Sequence, residues 1–307
     1  RVLGLSEFSA LLHMMTTVST GGFLAHAEAG EVFTTPALRM AASFFMVLAA
    51  LPVLFLIHLI LSGGRNFRTD LQLAPFLSLG TVAFFSIWAW LSLRGEIEEA
   101  GGLDDIIFHV TSVLTGTGYH GSAAAVLTHG LPLMLGFFLL YVGGCGGSTS
   151  GGLKIFRLIV LGKVLNKQFQ KLIYPHSVMS LQINPAGAYA EASTPYYDYV
   201  APETPHAAPG RGHLDNTMIL AVLGFLSLYV LANAALSLLL ALSGLTFYQS
   251  VAMAAAALAN AGPAIGLQAD YVILSDAALY ALSAGMLVGR LEIILFLAFI
   301  ARGLRRG

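Results

Sequence analysis

Three stretches of the chain carry the residue types that can hold a bare monovalent cation. They are Thr16-Thr17-Val18-Ser19-Thr20-Gly21-Gly22-Phe23, Thr115-Gly116-Thr117-Gly118-Tyr119 and Ala259-Asn260-Ala261-Gly262-Pro263. Each closes a short apolar segment (5–18, 103–114 and 247–258) that is too short to cross a membrane. A helix ending in a Gly-containing turn leaves carbonyl oxygens free, and the negative end of its dipole draws cations. Glycine reaches backbone conformations that aim those carbonyls inward. A ring of them can replace the water shell of K⁺ or Na⁺. Thr16, Thr17, Ser19, Thr20, Thr115 and Thr117 can add hydroxyl oxygens. Nothing in these stretches builds a carboxylate cage for Ca²⁺. One such turn is an ordinary connection between helices; three, each after a short helix, argue for an ion path.

A second polar feature interrupts the apolar stretch 131–164. The run Gly143-Gly144-Cys145-Gly146-Gly147-Ser148-Thr149-Ser150-Gly151-Gly152 contains almost nothing but Gly, Ser and Thr, and Lys154 and Arg157 follow it. Each Gly costs about 1 kcal/mol relative to Ala in a helix, so the helix should break here. Irregular backbone at membrane depth is tolerated where it is buried in protein or lines a water-filled cavity. A loop outside the membrane between two helices is the plainer alternative.

These features must be positioned by membrane helices. The chain has 307 residues, 57% hydrophobic and 10% charged, with mean hydropathy +0.78. Soluble domains carry about 25% charged residues, so the composition implies a polytopic helical protein in a lipid bilayer. Net charge is −1, which gives no footprint for nucleic acid, and the single cysteine, Cys145, excludes an intrachain disulfide. Segments 37–61, 71–93, 217–242 and 271–301 are predicted as spans. Residues 167–182 mix Lys with apolar side chains, as a segment lying along the membrane surface does. Residues 185–212, rich in Pro, Ala and Tyr, are predicted as a loose loop.

The unit of span, half-helix, Gly-containing turn and span recurs about two and a half times. Gly22, Gly118 and Gly262 lie 96 and 144 positions apart, and the long loop accounts for part of the excess. Repeats of this size point to an internally duplicated transport fold. If all three half-helices enter from one face, Arg65, Arg68, the 154–171 basic cluster and Arg302 to Arg306 fall on the other. Glu28, Glu31, the 96–105 acidic group, Asp270 and Asp276 fall on the half-helix face. The basic face is then cytoplasmic and the turns open outward. The first copy lacks a leading span and the chain starts at Arg1, so a piece of a longer protein is expected.

With Gly289-Arg290-Leu291-Glu292, these motifs resemble the Trk/Ktr/HKT superfamily of potassium transporters, most closely the bacterial Trk membrane subunits. The resemblance covers nearly the whole chain. It implies an all-α membrane protein of repeated membrane–pore–membrane units around a pseudo-fourfold pore, with three of four filter segments present. Those are Ser19, Thr20, Gly21 and Gly22; Thr115, Gly116, Thr117 and Gly118; and Ala259, Asn260, Ala261 and Gly262. It implies repeats at 1–69, 70–185 and 215–307, with a cytoplasmic loop at 186–214. It makes Gly143, Gly144, Gly146, Gly147, Gly151 and Gly152 an intramembrane gate, with Lys154 and Arg290 beneath. An intramembrane charge such as Arg290 is a functional hypothesis in its own right; its partner is not Glu292, since i and i+2 do not face each other on a helix. The resemblance also implies K⁺ as the transported ion, no enzyme activity, a homodimer, a cytoplasmic nucleotide-binding ring as partner, and the bacterial inner membrane as location.

Other patterns carry less. Gly116-Thr-Gly-Tyr-His-Gly121 fits G-x-G-x-x-G but follows no strand. Gly146 to Lys154 lacks the spacing of a phosphate loop. His13, His109, His120 and His129 match no metal-ligand spacing. Two rival functions stay open: a secondary transporter with broken helices binding an anion at half-helix N-termini, and an intramembrane hydrolase using Ser148 or Ser150, for which no activating base is placed.

Overall fold

The computed structural model describes residues 5–24, 32–61, 70–119, 129–174, 182–183, 212–213, 216–262, 274–291, 293, 296 and 302. Among these, ten helices run in the order α1 (Glu7–Val18), α2 (Pro36–Ala49), α3 (Val53–Leu61), α4 (Leu73–Arg94), α5 (Leu103–Thr115), α6 (Gly130–Val142), α7 (Ile155–Ile173), α8 (Asn216–Leu242), α9 (Phe247–Ala259) and α10 (Asp276–Arg290). One antiparallel two-residue ladder, β1 (Gln182–Ile183) with β2 (Gly212–His213), closes the neck of the long connection before α8. The expected loose loop otherwise lies outside the described residues, as do Glu28, Glu31, Arg65, Arg68, His120, Asp270, Arg305 and Arg306.

Helix lengths sort the elements by role. At ~1.5 Å per residue, α4 with 22 residues and α8 with 27 reach the ~30 Å of a hydrocarbon core. The short helices α1, α5 and α9 have 12, 13 and 13 residues and reach only about two thirds of it. Local signals set their starts: the Ser6 hydroxyl accepts from the Ser9 N–H, and Thr246 with Gln249 forms a capping box on α9. The half-helix α9 is enclosed from Ala252 to its end, with Ala252, Ala254, Ala255, Ala256, Ala257 and Ala259 buried. Small side chains let α8 and α10 approach its backbone closely. Large apolar residues face outward instead, among them Phe85, Leu93, Leu231 and Leu238, as lipid contact requires.

One expected span differs. Segment 37–61 is not one helix: α2 and α3 meet at 98° across Ala50-Leu51-Pro52. Pro52 has no N–H to donate and its ring clashes with the preceding turn, so the helix ends and restarts in a new direction. The last span is unbroken helix from Asp276 to Arg290 with Leu291 in a turn, and beyond it the described residues 293, 296 and 302 are again helical. The polar break after α6 is present: residues 143–154 are non-helical, and α6 alone has 13 residues. Residues 167–173, expected along the membrane surface, form the last part of α7, and 175–181 lie outside the described residues.

Candidate functional site: three equivalent turns and the loop beneath them

The three half-helices end in the same way, bond for bond. Gly21 N–H reaches Thr16 O (2.8 Å), Thr117 N–H reaches Ser112 O (3.0 Å) and Ala261 N–H reaches Ala256 O (3.0 Å). One residue earlier, Thr20, Gly116 and Asn260 donate to Thr17 O, Val113 O and Ala257 O at 3.0–3.1 Å. These are Schellman closures, which need a left-handed residue just past the helix. Thr20, Gly116 and Asn260 supply it at φ 49°, 71° and 54°. Two residues on, Gly22, Gly118 and Gly262 return to positive φ at 67°, 81° and 74°. The 96- and 144-residue offsets therefore relate identical backbone structures. Thr20 is the outlier, because a β-branched residue at positive φ is strained by about 1–3 kcal/mol. Its hydroxyl donates to Thr149 O at 3.0 Å in the loop below, which helps to hold it there.

The turns sit side by side in chain order. A methyl group built on Gly22 would run into the Thr117 carbonyl oxygen, and one on Gly118 into the Ala261 carbonyl oxygen. At both of these junctions a carbonyl of one turn thus occupies the space left by the missing side chain of the turn before it. The hydroxyls behave differently from expectation. Thr16 and Thr17 turn toward Tyr119, the Thr115 hydroxyl bonds Thr111 O (2.7 Å) and the Thr117 hydroxyl (2.8 Å), and Ser19 bonds Thr16 O (3.2 Å). They pin the turns, while the backbone supplies the oxygens that face a neighbour.

The loop 143–154 is docked onto the floor of the turns. Ser19, Thr115 and Ala259 are equivalent positions, each one residue before the left-handed one. Ser19 O accepts from Arg290 Nη2 at 3.3 Å, Thr115 O accepts from the Ser150 hydroxyl, and Ala259 O lies against Gly151, where a Cβ would overlap it. The innermost carbonyl of every described turn is thus in contact with the loop or with Arg290. The loop's other edge is clipped to the bend between α2 and α3: Cys145 N–H reaches Ala50 O (3.0 Å), Val53 N–H reaches Gly147 O (3.2 Å) and the Thr149 hydroxyl reaches Ala49 O (3.2 Å). Gln72 adds a clasp at the loop's middle, accepting from Gly146 N–H at 2.6 Å. Gly143 and Gly152, at φ 69° and 79°, let the two loop strands pack backbone to backbone.

Arg290 and Lys154 face a cavity of about 220 Å³ under the turns, lined also by Thr149, Ser150, Tyr229 and Gly289. Arg290 donates from Nη1 to Thr149 O at 2.9 Å as well as to Ser19 O. Gly289 brings α10 against the end of α9, where a side chain would strike Leu258 O. Ser148 and Ser150 are held by backbone, Ser148 donating to Cys145 O (2.6 Å) and Ser150 accepting from Gly144 N–H (3.0 Å). Neither is paired with a histidine or carboxylate in these bonds. Among the described residues, no group of three or more His, Cys, Asp or Glu could hold a metal ion. Sequence reasoning overlooked Tyr119, Gln72 and the pair Arg39–Asp104. Pro52, in the middle of an expected span, was a readable signal for the bend.

Half-helices ending in carbonyl-bearing turns, a broken helix beneath them and an apolar exterior define a polytopic membrane transport protein. The family model described as TrkH, cation transport protein, matches residues 3–302. The Trk system potassium uptake protein TrkI of Halomonas elongata is 33% identical over 97% of this chain and 56% of its own length. TrkH of Escherichia coli K12 is 26% identical over 96% and 56%. The crystal structure of the potassium transporter TrkH from Vibrio parahaemolyticus superposes with a TM-score of 0.80 at 24% identity, covering 97% of this chain and 59% of that one. The chain belongs to the TrkH family of cation transport proteins. It spans a little over half the length of the curated relatives it matches.

Proposed function

We propose that the chain forms the larger part of a potassium-uptake pore in the bacterial cytoplasmic membrane. The observation that carries this reading is the threefold recurrence of one turn, with left-handed residue, carbonyl step and left-handed glycine at 20–22, 116–118 and 260–262 and the same closing hydrogen bonds. Such a set offers a dehydrated cation several carbonyl oxygens at once, with three half-helix C-termini aimed at it. The relatives' names, all potassium uptake proteins, favour K⁺ as the ion. Residues 1–69, 70–185 and 215–307 are then three pore repeats. The turns face the outside and the C-terminus lies in the cytoplasm. A homodimer with a nucleotide-binding ring on the basic face is the expected assembly.

The loop 143–152 acts as the gate, since it lies on the innermost carbonyls, and Arg290 and Lys154 set an electrostatic barrier below. Gly118→Ser in the full-length protein tests the filter. A side chain at φ 81° directed into the Ala261 carbonyl must displace one of two neighbouring turns. The K⁺/Na⁺ flux ratio in vesicles should fall by roughly tenfold or more; an unchanged ratio sinks the filter reading.

Arg290→Gln tests the barrier. It removes the positive charge and two charge-assisted bonds, each worth about 1.5–3 kcal/mol. Rubidium uptake without any regulatory partner should rise at least about tenfold at equal protein abundance. Uptake no faster than the unaltered protein would contradict the assignment.

A further inference from the structure

Tyr119 follows the second turn directly and is one of the most deeply buried residues of the protein, 1% exposed. Its backbone and its side chain are tied to different repeats. The Tyr119 carbonyl accepts from the Ser112 hydroxyl of its own half-helix at 2.7 Å. The phenol oxygen instead lies 2.5 Å from the Thr16 hydroxyl and 3.0 Å from the Thr17 hydroxyl, both on α1 of the preceding repeat. The Thr16 hydroxyl and the phenol also lie 3.2 and 3.3 Å from His13 O, and one set of donors keeps the shorter contacts. Thr16 donates to the phenol, the phenol donates to Thr17, and Thr17 donates to His13 O at 2.6 Å. The ring is held by Phe33 and Phe108, at centroid distances of 4.8 and 6.3 Å.

The bridge exists at one junction by sequence. The positions equivalent to Tyr119 are Phe23, which is 67% exposed and has no hydroxyl, and Pro263, which has none either. The positions equivalent to Thr16 and Thr17 are Ser112 and Val113, then Ala256 and Ala257. Neither pair offers two hydroxyls. Backbone equivalence of the three turns is therefore combined with a side-chain strut specific to the first two.

We propose that the Tyr119 phenol, braced on Thr16 and Thr17, is a positioning residue that fixes the distance between the turns at 20–22 and 116–118 and so sets ion-size discrimination. This rests on the filter reading above. The lever is short. Gly118 and Tyr119 are adjacent, and the Thr117 carbonyl packs into the space beside Gly22. A shift of α1 relative to α5 moves that carbonyl against its neighbour with nothing in between to absorb it. Cutting the phenol bonds frees the two turns to close on a smaller ion.

The test uses the full-length protein in vesicles and reads the K⁺/Na⁺ flux ratio, which does not depend on how much protein inserts. Y119F should lower the ratio about five- to tenfold, the effect of losing one or two net hydrogen bonds. T16V with T17V should lower it equally, and adding Y119F to that pair should lower it no further, because all three cut one bridge. T16S with T17S retains both hydroxyls and should restore the ratio of the unaltered protein, which a purely steric role would not predict. An unchanged ratio in Y119F overturns the strut, as does a loss that simply adds to that of T16V with T17V. A changed ratio in G118S beside an unchanged one in Y119F removes the strut and keeps the filter. An unchanged ratio in G118S removes the filter reading itself.

Discussion

Replacing Gly151 by alanine should unseat the loop from the turns and open a leak. A methyl group at this position overlaps the Ala259 carbonyl oxygen and comes within 2.7 Å of its carbon. Both atoms are backbone, so no side-chain rotation relieves the clash. The Ala259 carbonyl cannot retreat easily, because residues 252–259 of its helix are all buried and Gly289 presses on Leu258 one residue back. The loop must therefore move. Overpacking of this kind costs about 1–3 kcal/mol, occasionally more. At the upper figure the balance between docked and undocked loop shifts by about a hundredfold. Cation flux without a regulatory partner should rise accordingly, with less effect on thermal stability than on flux, since the loop's hydrophobic surroundings stay in place. Gly162→Ala is the control, because a Cβ there meets nothing within 4 Å. Gly147→Ala should fall between the two. It has only Pro52 at 3.9 Å in its way but sits at φ 80°, a conformational penalty of about 1 kcal/mol. Leak rates ranked differently from 151, 147, 162 would mean that the loop does not seal the path where it meets the turns.

The parts of this site that sequence made legible are those encoded locally. Half-helices expected at 103–114 and 247–258 are found as Leu103–Thr115 and Phe247–Ala259. Each is an apolar run with a stop residue, Gly116 or Asn260, that takes the left-handed conformation. The break in 131–164 was legible for the same reason: successive Gly, Ser and Thr cannot sustain a helix in apolar surroundings. The bend at Pro52 was equally local, yet the apolar character of 37–61 outweighed it in the reading. What sequence could not supply was which groups meet. The Ser150 hydroxyl finds Thr115 O across 35 residues, Tyr119 finds Thr16 across 103, and Arg290 finds Ser19 across 271. No periodicity encodes such pairings; they follow only when the three turns are stacked side by side. Stacking also explains why the hydroxyls expected to face an ion are turned away. Within the fold each has a closer backbone or side-chain partner, and the carbonyls, which every residue carries, are left to the shared space.

Arg39→Met should destabilise the protein more than any other single polar substitution described here. Arg39 lies in the first turn of α2, beside the acidic first turn of α5, and it is 6% exposed. It is fully engaged. Nε and Nη2 each reach Asp104 Oδ2 at 2.6 Å, Nε lies 3.6 Å from Asp105 Oδ1, and Nη1 donates to Phe33 O at 3.0 Å and Thr34 O at 3.3 Å. The cluster joins the first turns of α2 and α5. Its value is asymmetric. Removing the arginine leaves the Asp105 side chain, 1% exposed, as a buried negative charge, and loss of one partner of a buried pair costs about 3–5 kcal/mol. Removing all the charges together is far milder, so Arg39→Met combined with Asp104→Asn and Asp105→Asn should recover more than half of the lost stability. Salt should change little, because a buried pair is screened weakly. Thermal unfolding of the purified protein in detergent reads all three variants directly. A single mutant within about 0.5 kcal/mol of the unaltered protein would show that this pair is a surface contact of the usual small worth. The expected large loss would show instead that neighbouring repeats are clamped by charge, as they are joined near the turns by the Tyr119 hydroxyl.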